Sequence, residues 1–251
     1  MRIDPDDCIG CEICIPYCPV DAIRMEGDIA VIDDDPCVEC GTCKRVDRCP
    51  TDAFYMQELE YPRTIRQVFS DPAAEHEDTT IAGRGTEEMK TNDVTERVEP
   101  GEVGINVEFG RPGISASLAD VEKVTTQIAG TVEFEEANPL TSLMADPKTG
   151  ELKPEVRDEQ VMSAIVEVAV DVEDLPEMFD RLEAATEEID TVASFNLSLR
   201  LDEDETLLDN ALHDVVEDTD IEISINGKTN VGLGKRSVRQ EIPPITGGET
   251  R

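Results

Sequence analysis

Cys8-Ile9-Gly10-Cys11-Glu12-Ile13-Cys14-Ile15-Pro16-Tyr17-Cys18-Pro19 and, after a spacer, Cys37-Val38-Glu39-Cys40-Gly41-Thr42-Cys43, five residues and Cys49-Pro50 decide how this chain is read. All eight cysteines of the 251 residues lie between positions 8 and 49. The first run is C-x2-C-x2-C-x3-C-P and the second C-x2-C-x2-C-x5-C-P. Cysteines three apart on a tightly turning loop aim their sulfurs into one small volume, so three thiolates hold three corners of a cubane. In such a run the fourth cysteine ligates the other cluster. The spacing therefore predicts two [4Fe–4S] clusters, one on Cys8, Cys11, Cys14 and Cys49 and one on Cys37, Cys40, Cys43 and Cys18. The proline after Cys18 and after Cys49 fixes φ and turns the chain away. Gly10 and Gly41 are expected where the backbone passes close to inorganic sulfide.

Other uses of cysteine fit less well. A disulfide framework suits a small secreted chain, whereas this one is long and no signal peptide is expected before Cys8. Two zinc sites need four ligands each, usually as separated C-x2-C pairs. Buried structural cysteines would not repeat at this interval.

Residues 1–56 resemble a bacterial-type ferredoxin with two [4Fe–4S] clusters. The resemblance rests on Ile3-Asp4-Pro5 ahead of the first cysteine and on Cys18-Pro19-Val20-Asp21-Ala22-Ile23, echoed by Cys49-Pro50-Thr51-Asp52-Ala53-Phe54. That echo is an internal repeat, and the resemblance implies a pseudo-twofold ferredoxin fold. One departure is the pair of extra residues within Lys44-Arg45-Val46-Asp47-Arg48, which lengthens the loop beside the second cluster. Two clusters of unequal potential are expected from it.

The formal charge is −36, from 58 acidic and 22 basic side chains, and the basic ones are 15 Arg against 7 Lys. An acidic surface with little lysine suits a halophilic host, where salt screens self-repulsion, and it also suits docking to a basic partner. No basic face exists to neutralise phosphates, so nucleic acid is not an expected ligand. No apolar run approaches a membrane span. Metal-bound cysteines point to a reducing cytoplasm.

Beyond the cysteines, Arg24 to Ile32 reads as a hairpin around Glu26-Gly27-Asp28, and Phe54-Tyr55-Met56 as the last strand of the ferredoxin sheet. Tyr17 and Tyr55 are expected to pack near the clusters. Residues 61–101 read as a polar linker, with a short turn of helix or strand at 63–69 and His76 solvated among acids. Within it, Gly83-Arg84-Gly85 forms a turn able to present N–H groups to an anion, with Arg84, Thr86 and Lys90 as contacts. Residues 84–95, with Gly110-Arg111-Pro112-Gly113, resemble ferredoxin-fused iron–sulfur proteins of the 6-hydroxynicotinate reductase kind.

From 102 to 230 the periodicity is clean. Val103, Ile105, Val107 and Phe109 alternate as a half-buried strand. Ser117 caps a helix carrying Leu118, Val121, Val124 and Ile128, ended by Gly130. Val132 and Phe134 start another strand, and 137–158 reads as a long loop. Alternation then predicts a strand over 164–172, a helix capped by Asp174 with Leu175, Met178, Phe179, Leu182, Ala185 and Ile189, and a strand over 193–201 whose polar face carries Ser194, Asn196, Ser198 and Arg200. A helix with Leu208, Ala211, Leu212 and Val215, and a strand with Ile221, Ile223 and Ile225, complete the set. His213 is expected to pack beside its helix.

The expected architecture is thus α+β: a dicluster ferredoxin fold over 1–60, the linker 61–101, an α/β sandwich of the ferredoxin-like βαββαβ type over 102–230, and a flexible tail over 231–251. The second unit contains no serine–histidine pairing, H-E-x-x-H, P-loop or dinucleotide fingerprint. The expected function is electron transfer to a redox protein such as a reductase or dehydrogenase, with the second unit for docking. Two alternatives are a ferredoxin-containing part of a reductase and a redox-linked module that binds a small ligand.

Overall fold

The computed structural model describes residues 1–76, 80, 97–99, 101–110, 114–136 and 138–199. The expected helix at 208–215, the strand at 221–225, His213, Arg200, the 231–251 tail and the Arg84–Lys90 segment lie outside the described residues.

The amino-terminal part is small and built from short pairs. Strand β1 (Arg2–Ile3) pairs antiparallel with β4 (Phe54–Tyr55), joining the two ends of the segment. Strands β2 (Ile23–Glu26) and β3 (Ile29–Ile32) form the expected hairpin, and Gly27 at its tip takes the left-handed φ of 64° that a tight turn demands. Met1, Ile23, Ala30 and Phe54 make a core only four residues wide. Cys8, Cys14, Cys18, Cys43 and Cys49 pack partly buried against it. So few apolar side chains give a 55-residue segment little to fold around.

The second unit has the large core. Strand β5 (Glu102–Phe109) is central, antiparallel to β10 (Ala164–Asp171) on one side and to β11 (Ala193–Leu199) on the other. Val103, Ile105, Val107 and Phe109 are fully buried, as their alternation predicts. Helix α3 (Leu118–Ile128) lies on that face through Leu118, Val121, Val124 and Ile128, and helix α4 (Leu175–Thr186) through Leu175, Met178, Phe179 and Leu182. The Ser117 cap is as expected: its Oγ accepts the Asp120 N–H at 3.0 Å and donates to the Asp120 carboxylate at 2.9 Å. Gly130 follows the helix at φ 81°. Each fully buried side chain of this size contributes roughly 1.5–3 kcal/mol, so this core dominates the stability of the molecule.

Several expectations need correction. No strand forms at Val132 and Phe134. Only isolated bridges occur, Phe134 with Val168 and Ala129 with Val132. The Asn138 side chain explains the short pairing, because its Nδ2 donates to the Ile165 carbonyl, which a longer strand would otherwise use. Asp174 makes no side-chain cap, since a 3-10 turn over Val172–Asp174 runs straight into α4. Residues 137–158 are not a structureless loop. They contain a 3-10 turn (Thr141–Leu143), the hairpin β7 (Met144–Asp146) with β8 (Glu151–Leu152), and a second 3-10 turn (Pro154–Val156). Leu140, Leu143, Met144, Leu152 and Val156 enter the main core. The hairpin presses onto α3 at Gly150, where an added Cβ would lie 2.3 Å from the Thr125 carbonyl oxygen. Two further short strands, β6 (Ala116–Ser117) and β9 (Gln160–Val161), pair beside α3.

Within the stretch expected as linker, Thr64–Ser70 is a helix, α2. Its Ile65 and Phe69, four apart on one face, are buried in the core of the second unit. The Met162 N–H donates to Ser70 Oγ at 2.8 Å, fixing the helix against β9. His76 is not solvated: it is 6% exposed, edge-on to Phe69 with ring centroids 6.2 Å apart.

Candidate metal centre

The eight cysteines converge into two separate cavities. Cys8, Cys11, Cys14 and Cys49 line one, with Ile9 and Ile13 at its mouth and Ala30 and Phe54 within. Cys18, Cys37, Cys40 and Cys43 line the other, with Met1 and Val38. Each cavity thus takes three cysteines from one run and the fourth from the other.

The two runs repeat the same backbone. The residue before the second cysteine of each run is left-handed (Gly10, φ 64°; Glu39, φ 55°), and so is the residue after it (Glu12, φ 60°; Gly41, φ 67°). Asp21 and Asp52, three residues past Cys18 and Cys49, also match at φ 52° and 50°. These reversals curl the chain so that sulfurs three apart meet. The following N–H groups turn inward as well: Ala22 N–H donates to Cys18 Sγ at 3.1 Å and Ala53 N–H to Cys49 Sγ at 3.3 Å. Ala30 N–H reaches Cys8 Sγ at 3.4 Å from β3. Donors of this kind favour the thiolate. The two glycines thus occupy different positions of the repeat, and what crowds them is protein. A Cβ on Gly10 would sit 2.2 Å from the Asp28 carbonyl oxygen, and one on Gly41 would sit 2.8 Å from the Arg45 guanidinium.

Where the runs differ, the two extra residues are absorbed by a short helical turn, α1 (Thr42–Arg45), and by left-handed Asp47 at φ 49°. The shorter first run has a 3-10 turn over Ile15–Tyr17 instead. Tyr17 and Tyr55 are both exposed rather than packed.

The electrostatics of the sulfurs follow burial against the donors each one has. Burial pushes the Cys43 thiol up to about 12, with Cys40, Cys37 and Cys18 adding to the rise. Burial also raises Cys14, reinforced by Cys11, Cys8 and Cys49. Burial raises Cys37. At Cys49 burial is outweighed by the Ala53 N–H, the Thr51 hydroxyl and further N–H groups, and the thiol falls below its ordinary value. Buried sulfurs that repel one another as thiolates are the donor set that iron stabilises by replacing their protons. Among the described residues no group of three or more His, Cys, Asp and Glu side chains forms a single-ion cage.

The loop of the second cavity is clamped from outside. Glu39, 2% exposed, pairs with the Met1 ammonium and accepts from Arg63 Nε at 2.8 Å. Arg66 of α2 donates to the carbonyl oxygens of Asp34, Asp35 and Cys37 at 2.9, 2.8 and 2.9 Å. Its Nε pairs with Glu159, just ahead of β9. Motif reading missed Glu39, Arg63 and Arg66, although an acid inside a cysteine run followed by two arginines three apart was visible.

Residues 1–24 match the family described as the 4Fe-4S binding domain. A ferredoxin of Methanothermococcus thermolithotrophicus is 41% identical over 61 residues, which is 23% of this chain and 98% of that protein. The chain belongs to the ferredoxin family. Another ferredoxin relative, named ferredoxin 7Fe, from Hydrogenibacillus schlegelii, is 40% identical over 56 residues, 22% of this chain and 69% of its own length. One component of an ion-translocating oxidoreductase complex, from Methanosarcina acetivorans, is 40% identical over 50 residues, 20% of this chain and 18% of that component. This ferredoxin segment binds iron–sulfur of the 4Fe–4S kind and serves electron transfer.

The second unit offers other groups. An open cavity of about 890 Å³ is lined by Arg97, Glu102, Phe134, Glu135, Glu167 and Asp171 among others, and no cysteine borders it. Arg97 pairs there with Glu135 at 2.7 Å. Ser194 and Asn196 on β11 are exposed on the sheet. Ser142 Oγ of this unit lies 3.3 Å from His76 Nε2, which belongs to the stretch expected as linker. The serine donates to the Pro139 carbonyl at 2.8 Å, so its proton is not aimed at the ring, and the contact serves packing. Among the described residues no helix is long and apolar enough to cross a membrane.

Proposed function

We propose that this chain is a two-cluster electron carrier with an appended α+β unit. The first [4Fe–4S] cluster is held by Cys8, Cys11, Cys14 and Cys49, and the second by Cys37, Cys40, Cys43 and Cys18. Such a cluster supplies one-electron redox chemistry, and the protein supplies ligands, N–H donors and burial that set its potential. The single observation that carries the reading is the grouping of the cysteines into two cavities, each closed by one cysteine from the opposite run. The appended unit is of the βαββαβ kind, a reading supported by the order β11–β5–β10 with Phe134 bridged to the far side of β10. Its role is to bind the carrier to a redox protein in the cell. The charge of −36 with few lysines supports a high-salt cytoplasm as the place of work.

The test is Cys49→Ala, prepared anaerobically with iron and sulfide. About eight irons per chain are expected in the parent. The variant should lose or convert only the cluster of Cys8, Cys11 and Cys14, read by iron count and by electron paramagnetic resonance. Selective loss of the Cys37, Cys40 and Cys43 cluster would overturn the crossed assignment.

A second reading makes the chain one part of a larger oxidoreductase. The likeness of its first fifth to a component of an oxidoreductase complex favours it. A stable complex with another chain, isolated from the native host at high salt and active only as that complex, would decide for this reading.

A further inference from the structure

Resting on the two-cluster reading, we propose that Arg66 is a positioning residue for electron uptake at the Cys18/Cys37/Cys40/Cys43 cavity. With Glu159 it makes the appended unit part of the device that sets the potential there. Arg66 stands on α2 and is 7% exposed. Its Nη1 lies 2.9, 2.8 and 2.9 Å from the carbonyl oxygens of Asp34, Asp35 and Cys37. The last of these belongs to a cluster ligand. Its Nε pairs with the Glu159 carboxylate, 93 residues further along the chain. The pair is held from the side of the appended unit. The Glu159 N–H donates to the Val156 carbonyl at 2.9 Å, and the Glu159 carbonyl accepts from the N–H of Leu118, the first residue of α3, at 3.0 Å. Ile65 and Phe69, on the same short helix as Arg66, are buried in the core of that unit. The guanidinium is thus aimed at the cysteine loop by packing in another part of the fold.

Burying a guanidinium is costly, and a buried charge is felt by its neighbours far more strongly than one in water. Electron uptake adds one negative charge among the four sulfurs. An external reductant supplies the electron, and no bond of the protein is made or broken. A fixed positive charge behind Cys37 favours the more negative state and so raises the potential. The Cys37 thiol responds to its surroundings with the same sign. Burial and the Glu39 carboxylate raise it, while the Glu39 N–H, the Met1 ammonium and Arg63 pull it down. Glu159 binds the Nε edge of Arg66, whereas Nη1 faces the loop, so the carboxylate offsets only part of the charge. The two partners therefore push the potential in opposite directions.

The test uses the full iron-loaded chain, reduced stepwise with dithionite and followed by electron paramagnetic resonance. Arg66→Gln removes the positive charge and leaves the Glu159 carboxylate in place. The redox equilibrium of the second cluster should move about tenfold toward the oxidised form, a fall of about 59 mV. Glu159→Gln leaves Arg66 uncompensated, and the equilibrium should move about threefold the other way. A packing role alone would loosen the loop in both variants and shift both potentials the same way. The same titration on Cys49→Ala, with and without Arg66→Gln, shows which cluster has moved. Where Arg66→Gln fails to hold iron, the sign of the Glu159→Gln shift decides. Shifts of one sign in both variants, shifts below about twofold, or a shift confined to the Cys8/Cys11/Cys14/Cys49 cluster would overturn the proposal. Iron counted on each preparation separates the two ideas. A parent with far fewer than about eight irons sinks the two-cluster reading, whereas full iron with potentials that do not respond sinks only the role of Arg66.

Discussion

The two halves of the cysteine repeat share a backbone and differ in their surroundings. Three pairs of left-handed residues superimpose the turns of one half on those of the other, and the same N–H to sulfur bonds follow. Yet Gly10 in the first half has Glu39 as its counterpart in the second. A residue without a side chain lets the first loop lie against the Asp28 carbonyl. A buried carboxylate anchors the second loop to the Met1 ammonium and Arg63. Equal backbone geometry therefore does not mean equal surroundings. The first cavity depends on a close backbone approach within the small domain. The second depends on ion pairs and on the appended unit.

The sharpest way to break this comparison is Gly10→Ala. The new Cβ would meet a backbone oxygen at 2.2 Å at a φ of 64°, and neither can yield cheaply. Loss of iron from the first cavity with retention in the second is expected, read by iron count and spectra. Loss of both sets together would make the halves one cooperative unit. A smaller effect is expected from Glu39→Gln. Removing one partner of a buried ion pair costs about 3–5 kcal/mol, here divided among the Met1 ammonium and the partly exposed Arg63. The retained amide oxygen places the outcome near ~3 kcal/mol. Chemical denaturation should show that loss, with lability of the second iron set alone.

Much of this was legible in local patterns. Cysteine spacing foretold which three cysteines of each run share a cavity, because three-residue intervals are set by turn geometry that operates locally. The Ser117 cap and the alternation over β5, β10 and β11 were legible for the same reason. What was not legible depends on distance along the chain. Arg66 meets Glu159 across 93 residues, and Ser142 meets His76 across 66. Helix α2 is seven residues long, too short for its Ile65/Phe69 spacing to stand out, and tertiary packing holds it. The hairpin at 144–152 was hidden because Asp146, Pro147, Lys148 and Gly150 dominate its composition while Met144 and Leu152 carry its burial.

Ser117→Ala has the smallest direct effect and asks whether the appended unit guards the second half alone. It removes a helix cap that lines neither cavity, a loss of about 1 kcal/mol. The Ser117 hydroxyl both accepts from the Asp120 N–H and donates to its carboxylate, and Asp120 keeps Lys123 at 2.8 Å, so the damage stays local. If the second cavity opens to solvent only when the unit loosens, its opening rises with that destabilisation, by about fivefold for 1 kcal/mol. Iron of the second set should then pass to an added chelator about five times faster, with the first set unchanged. The link would run through α2, whose Phe69 sits in the unit's core and whose Arg66 grips the loop. Equal acceleration of both sets would mean the small domain opens as a whole. No acceleration of either would mean that the ion pairs at Glu39 hold the second cavity shut without help from the unit.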